Sequence, residues 1–337
     1  MDIGVSSVSW FRGTARLAAR FEALGFASAL FTDSQNLCAE VWSQLALAAH
    51  ATERIRLGPG VTNSVTRDPA LTACAAATLQ AESEGRAVLC IGRGDSAVQR
   101  IGQREMRVAE FEAYLEAVQG YLRGETVDRD GFESRLEFLP ALGDLPKVPL
   151  EVMASGPRVI ELSARVADHL CLAVGADPEF LASRVALARE AAQRAGRDPA
   201  SLRLGAMVNC VLSDELGPGR DAIRGGATSF ARFSSFRGND PAGLPGPLRQ
   251  AVAWIREHYD MKDHTRANVA HTRGIDDAFL EWFGVVGPAA RVRERLQSLA
   301  DLGLDFVHLV PGSTDADRAL VRASLEAISK EVLPALR

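Results

Sequence analysis

Asp33 and Ser34, and further along the chain Asn63, Ser64 and Val65, are the residues from which chemistry can be argued first. Each group closes a short apolar run, Ala29-Leu30-Phe31-Thr32 in one case and the segment from Arg54 to Val61 in the other. A carboxylate just past a buried strand can hydrogen-bond a heterocycle, orient a substrate or cap its own loop. The stretch from Arg54 to Pro69, RIRLGPGVTNSVTRDP, reads as a glycine-bearing strand, a polar loop and the proline that starts a small-residue helix.

Two turns add glycine and positive charge. Ser155-Gly156-Pro157-Arg158 passes from strand to helix, where free N–H groups attract phosphate, glycine permits its approach and Arg158 can add a charge-assisted contact. Gly92-Arg93-Gly94-Asp95-Ser96-Ala97 nearly satisfies the dinucleotide pattern G-x-G-x-x-[GA]. A nicotinamide-binding domain would carry that pattern after its first strand, and here three strand–helix units come before it. Asp95 or Ser96 as a helix cap is the plainer reading.

These residues share a pattern of placement. Strands at Ile3 to Val5, Ala29 to Thr32, Arg54 to Thr62, Ala87 to Ile91, Leu150 to Met153, Asp168 to Leu172, Leu202 to Val211 and Phe306 to Val310 alternate with helical periodicities. Parallel strands need crossovers and helices supply them, so eight such units predict a (β/α)8 TIM barrel, with an open doubly wound sheet as the alternative. Residues after each strand then share one rim, on which barrel enzymes do their chemistry. That rim gathers Ser6, Asp33, Ser34, Asn63, Ser64, Arg93, Asp95, Ser155, Gly156, the Ala173 to Gly175 turn with Val174, Asn209 and the Pro311 to Ser313 turn.

Residues 213–283 break the cadence after strand seven with Gly/Pro-rich breaks at 217–219 and 238–247, and read as an insertion. It is rich in arginine (Arg220, Arg224, Arg232, Arg237, Arg249), which suits an anionic ligand or a solvated face. It also holds His258, His264 and His271, expected to be solvent-exposed. Trp10 and Phe11 can wall a pocket or cover the barrel top.

Composition narrows the class. A net charge of −5 without like-charge blocks gives no nucleic-acid footprint, and no apolar run reaches the ~18 residues of a membrane span. Five cysteines without a C-x-x-C pair fit reduced thiols in a cytoplasm, and the start of the chain has no secretory pattern. No His, Cys and carboxylate set has metal-ligand spacing, so no metal is expected.

The motifs Phe31-Thr32-Asp33, Leu57-Gly58-Pro59-Gly60-Val61-Thr62-Asn63, Arg67-Asp68-Pro69, Ile91-Gly92-Arg93-Gly94-Asp95 and Ala154-Ser155-Gly156-Pro157 together resemble the bacterial luciferase-like family of flavin- and deazaflavin-dependent oxidoreductases. The similarity is nearest to the methylenetetrahydromethanopterin reductase-like, coenzyme F420-dependent branch and covers nearly the whole chain outside the insertion. It implies a barrel that binds coenzyme F420, or alternatively FMN, at the strand carboxyl ends. Ser6, Asn63, Ser64, Val65, Arg93, Gly94, Asp95, Val174 and Gly175 would then lie around the cofactor, and Ser155, Gly156, Pro157 and Arg158 would hold its phosphate. The resemblance also implies a non-proline cis peptide, whose counterpart here is Ser64-Val65, and a homodimer. Asp33 and Ser34 take the catalytic positions, with one departure: several family members carry histidine where this chain has Ser34, and a hydroxyl cannot supply a proton near neutral pH as imidazole can. The implied activity is hydride transfer to or from a C=C, C=N or C=O bond of a small organic molecule. The alternatives are an FMN-dependent monooxygenase and a flavin-binding protein without turnover.

Overall fold

The computed structural model describes residues 1–235 and 241–336. Its Val-, Ile- and Leu-rich runs form eight parallel barrel strands: Asp2–Val8, Ser28–Thr32, a split third strand (Arg56–Pro59 and Thr62–Asn63), Leu89–Gly92, Leu150–Ala154, His169–Leu172, Arg203–Leu212 and Phe306–Val310. Strand one pairs with strands two and eight, strand seven with strands six and eight, and strand five with strands four and six. Closure falls on strand three. Its first half pairs with strand two, its second half pairs with strand four, and Leu57 also bridges to Ala87.

Closure creates two apolar layers. One lies between strands and helices and is filled by residues such as Val5, Phe31, Leu57, Leu115, Leu150 and Leu309. The other lies inside the ring, where Leu30, Val88, Cys90, Cys171, Met207 and Phe306 meet. Along a strand successive side chains alternate between these layers, so each strand end carries one residue inward to the rim. Helix starts follow local chemistry: Pro69 opens helix Pro69–Glu82 behind Asp68, whose side chain accepts from the Ala70 N–H.

The insertion after strand seven is helical, with Leu216–Ala231, Gly246–His258 and Asp277–Phe283 as its longer helices. It ends in a short strand, Val285–Gly287, which pairs with strand seven at Cys210 to Leu212. Part of the second expected break, including Asp240, and Arg237 before it lie outside the described residues. A two-stranded antiparallel hairpin, Val127–Arg129 with Phe132–Ser134, interrupts the loop-rich excursion before strand five. Among the described residues no helix is long and apolar enough to cross a membrane.

Candidate active site

The residue pair at the end of strand two is held against strand three. Thr62 Oγ1 donates to Asp33 Oδ2 at 2.7 Å, and Arg67 Nε lies 4.0 Å from the same oxygen while pairing with Glu40. Asp33 therefore ties two loops together instead of capping its own. Burial pushes its carboxyl above the ordinary aspartate value of 3.8; the Thr62 hydrogen bond and Arg67 offset this in part, and Glu40 adds to it. Ser34 beside it is buried, and its hydroxyl has no partner.

At the end of strand three, Asn63 Oδ1 accepts from the N–H groups of Val65 and Thr66 and from the Thr66 hydroxyl, at 3.0, 2.9 and 3.1 Å. This Asx turn sets the loop and leaves Asn63 Nδ2 and Ser64 Oγ unpartnered. The expected cis peptide is not at Ser64-Val65, which the turn already shapes. The cis bond is Gly60–Val61, inside the split of the strand. Glycine is required there by close approach, because a Cβ at position 60 would lie 2.7 Å from Leu30 Cβ and 3.2 Å from Ser6 Oγ. The same contact places Ser6 on the inner wall beside strand three.

Past strand four, Gly94 has φ +98°, a left-handed conformation, and a side chain there would meet Val98 at 2.6 Å and Val65 at 3.4 Å. The turn therefore packs on the strand-three loop, and Gln35 Nε2, donating to Ala97 O at 2.7 Å, ties the strand-two loop to it as well. Asp95 precedes the short helix Ser96–Gln99 without a side-chain capping bond. Its carboxylate instead pairs with Arg232 of the insertion. Arg93 Nε donates to Met106 O at 2.7 Å. Burial lowers the Arg93 pKa, Glu105 opposes this and the positive charge of Arg158 on the strand-five turn adds to it. Ser155 and Gly156 are half-buried, Pro157 begins helix Pro157–Val166, and Arg158 is exposed. Val174 and Gly175 lie in the turn after strand six, which is buried beneath helix Asp277–Phe283, with Ala176 N–H donating to Phe283 O at 2.8 Å.

Two features exceed what the chain order shows. Asn209, on strand seven, is 1 % exposed, and both of its amide atoms lack partners; its inward placement was foreseeable, its unpaired state was not. The insertion also builds an aromatic cluster over the strand-four loop. The Arg232 guanidinium sits 4.9 Å from the Tyr259 ring, Tyr259 Oη lies 2.5 Å from His264 Nδ1, and His271 stacks on the same tyrosine at 4.3 Å. Of the three histidines expected to be exposed, only His258 is; His271 is buried and His264 half-buried. Burial, with Arg232 and Arg100 nearby, lowers the His264 pKa to about 3, so it accepts from the tyrosine as a neutral ring. Phe230 of the same insertion packs onto the apolar cluster inside the barrel.

The fold is that of a (β/α)8 barrel, in which the strand carboxyl ends share one rim. A profile of the family described as luciferase-like monooxygenase matches residues 4–305, and the chain belongs to that family. It is 29% identical over 330 residues to a 5,10-methylenetetrahydromethanopterin reductase of Archaeoglobus fulgidus, covering 93% of this chain and 92% of that one. Its fold matches a coenzyme F420-dependent tetrahydromethanopterin reductase from Methanopyrus kandleri with a TM-score of 0.76 at 21% identity, over 100% and 99% of the two chains. It also matches an F420-dependent secondary alcohol dehydrogenase solved with an F420-acetone adduct, with a TM-score of 0.76 at 20% identity over the same shares of the two chains.

Proposed function

We propose that this protein is an F420-dependent oxidoreductase that moves a hydride between the deazaflavin and a C=C, C=N or C=O bond of a small organic substrate. The observation that carries this reading is the set of buried, unpartnered polar atoms on Ser34, Asn63, Ser64 and Asn209, from the ends of strands two, three and seven. Buried polar groups are nearly always paired, so four without partners at one barrel end fit a ligand with hydrogen-bonding edges. The neighbouring charges of Arg93 and Arg158, with the start of helix Pro157–Val166, fit an anionic tail on the same ligand. Bound there, the deazaflavin supplies the hydride chemistry.

The chain's own groups divide the remaining work. Asn63, Ser64 and Val65, with Ser6 and Gly94, form a wall along one side of the ring. Ser155, Gly156 and Arg158 hold the phosphate, and Asp95, Val174 and Gly175 support the site from the side of the insertion. Ser34 orients the substrate by hydrogen bonding. Asp33 is the rim carboxyl whose burial favours its protonated form, so it takes the proton-exchanging role that a serine at position 34 cannot fill. The five free cysteines support a reducing cytoplasm, and exposed Leu47 and Leu71 on helices Val41–Ala49 and Pro69–Glu82 support pairing with a second copy.

Spectrophotometric titration of the purified protein with F420 and with FMN tests the reading, followed by anaerobic assay of reduced F420 against carbonyl, imine and activated-alkene substrates. Tight F420 binding and oxidation of the reduced cofactor by one of these classes is the expected outcome. Tight FMN binding without F420 binding, together with oxygen consumption on turnover, would establish the monooxygenase instead.

A further inference from the structure

Deeper in the barrel the inward side chains change character. Glu151 of strand five, Cys171 of strand six and His308 of strand eight place a carboxylate oxygen, a sulfur and an imidazole nitrogen within 4.8 Å of one another, all three residues buried. His308 Nε2 lies 3.0 Å from Glu151 Oε1, and Cys90 Sγ of strand four donates to that same oxygen at 3.1 Å. His169 Nδ1 lies 3.5 Å from the second carboxylate oxygen. Barrel interiors are ordinarily filled by branched apolar side chains. A buried carboxylate–imidazole pair gives little stability over apolar residues of the same volume, so stability alone does not account for this donor set.

We propose that Glu151, Cys171 and His308 bind a divalent ion of the zinc type, with Cys90 as an outer partner of the carboxylate and the fourth position left to a water. Thiolate, imidazole and carboxylate together are the donors zinc accepts, and the sulfur disfavours magnesium and calcium. A second observation supports the assignment: His308 Nδ1 lies 3.2 Å from Ser28 Oγ, which anchors the ring and turns Nε2 toward the carboxylate. Ligating imidazoles are usually held this way by an outer partner. Binding moves no electrons. The Cys171 thiol gives up its proton as a zinc–sulfur bond forms, the His308 ring nitrogen and the Glu151 carboxylate bond through lone pairs, and the proton passes to solvent. The inference is independent of the proposed cofactor, which draws on the rim and not on this layer.

The test is metal analysis of the whole chain, produced with zinc in the medium and desalted, followed by refolding with Co(II) in place of zinc. Near-stoichiometric zinc and a thiolate-to-cobalt charge-transfer absorption are expected. Cys171→Ser, close in volume, lowers zinc affinity by about tenfold or more, whereas Cys74→Ser, on helix Pro69–Glu82 outside the ring, leaves it unchanged. Folded wild-type protein with only trace zinc and no cobalt–sulfur absorption overturns the proposal, as does unaltered zinc content in Cys171→Ser. Should the serine variant fail to fold, the cobalt spectrum of the wild-type chain decides alone.

Discussion

At the amino ends of the strands Arg86 donates to five oxygens, those of Ser83, Ala49, Thr52 (backbone and hydroxyl) and Ile55, whereas at the carboxyl ends Ser34, Asn63, Ser64 and Asn209 keep polar atoms that meet nothing. Two floor carboxylates are engaged as well. Asp2 pairs with Arg56 and Arg203, and Asp168 accepts from Lys147, Gln119 and the Leu150 N–H. The Ser83 hydroxyl is an exception on the floor. Hollow volume does not distinguish the ends: a cleft of about 780 Å³ opens on the floor side, between the end of helix Val108–Leu122 and residues 135–148. Its charged lining is paired, Arg123 with Glu125, Arg135 with Glu137 and Lys147 with Asp168. What differs is the unmade hydrogen bonds, which cost about 1–3 kcal/mol each when buried and which the proposed ligand would complete.

Substitutions at the two ends should therefore separate stability from binding. The largest effect is expected on the floor. Arg86→Ala strands several acceptors and removes a cation from the end of helix Val41–Ala49, so urea denaturation should show a loss of about 3 kcal/mol with F420 affinity unchanged. At the rim the expectation inverts. Asn209→Leu removes an amide that the fold leaves unpaired, so the melting temperature should hold or rise, while F420 affinity falls about 10–100-fold with the lost hydrogen bonds. A stability loss in this variant matching that of Arg86→Ala would dissolve the distinction.

A smaller effect belongs to Arg158, which is exposed and acts through charge. Arg158→Ala should weaken F420 binding by about threefold to tenfold in dilute buffer, and the difference should shrink as salt is added. If Arg158→Ala behaves alike at low and high ionic strength, the guanidinium does not meet the anionic tail.

Much of the rim could be read from local pattern, because a period-2 strand followed by a 3.6-period helix dictates which residue comes at the carboxyl end. Asp33, Ser34, Asn63 and Ser64 were reachable on that ground. The position of the cis bond was not; Gly60 beside it packs against Leu30 of the neighbouring strand, a contact absent from either segment alone. His264 and His271 looked exposed in a polar, arginine-rich insertion, yet Tyr259 gathers both and Arg232 covers the same ring. Glu151, Cys171 and His308 lie on three strands far apart in the chain, so spacing rules built for local ligand pairs pass over them. In each case the missing information is which side chains a closed ring turns toward one another.

The mildest test uses pH, because Asp33 at the rim and Asp168 on the floor are shifted in opposite directions. Burial holds Asp33 above 3.8 in the folded chain. Between 3.8 and that raised value the folded state keeps a proton that the unfolded chain has released, so Asp33 withdraws stability as pH rises through the window. Asp168 is also desolvated, but the hydrogen bond and charge of Lys147, with the Leu150 N–H, carry it below 3.8. It therefore contributes its full stability above 3.8 and loses it as pH falls through the lowered value. Chemical denaturation across this range should show Asp33→Asn gaining on the wild type as pH rises above 3.8 and then levelling off. Asp168→Asn should fall behind the wild type as pH rises toward 3.8 and run parallel to it above. Parallel curves for Asp33→Asn throughout would mean that its carboxyl is as well solvated or as well paired as those on the floor, and its proposed proton-exchanging role would lose its physical basis.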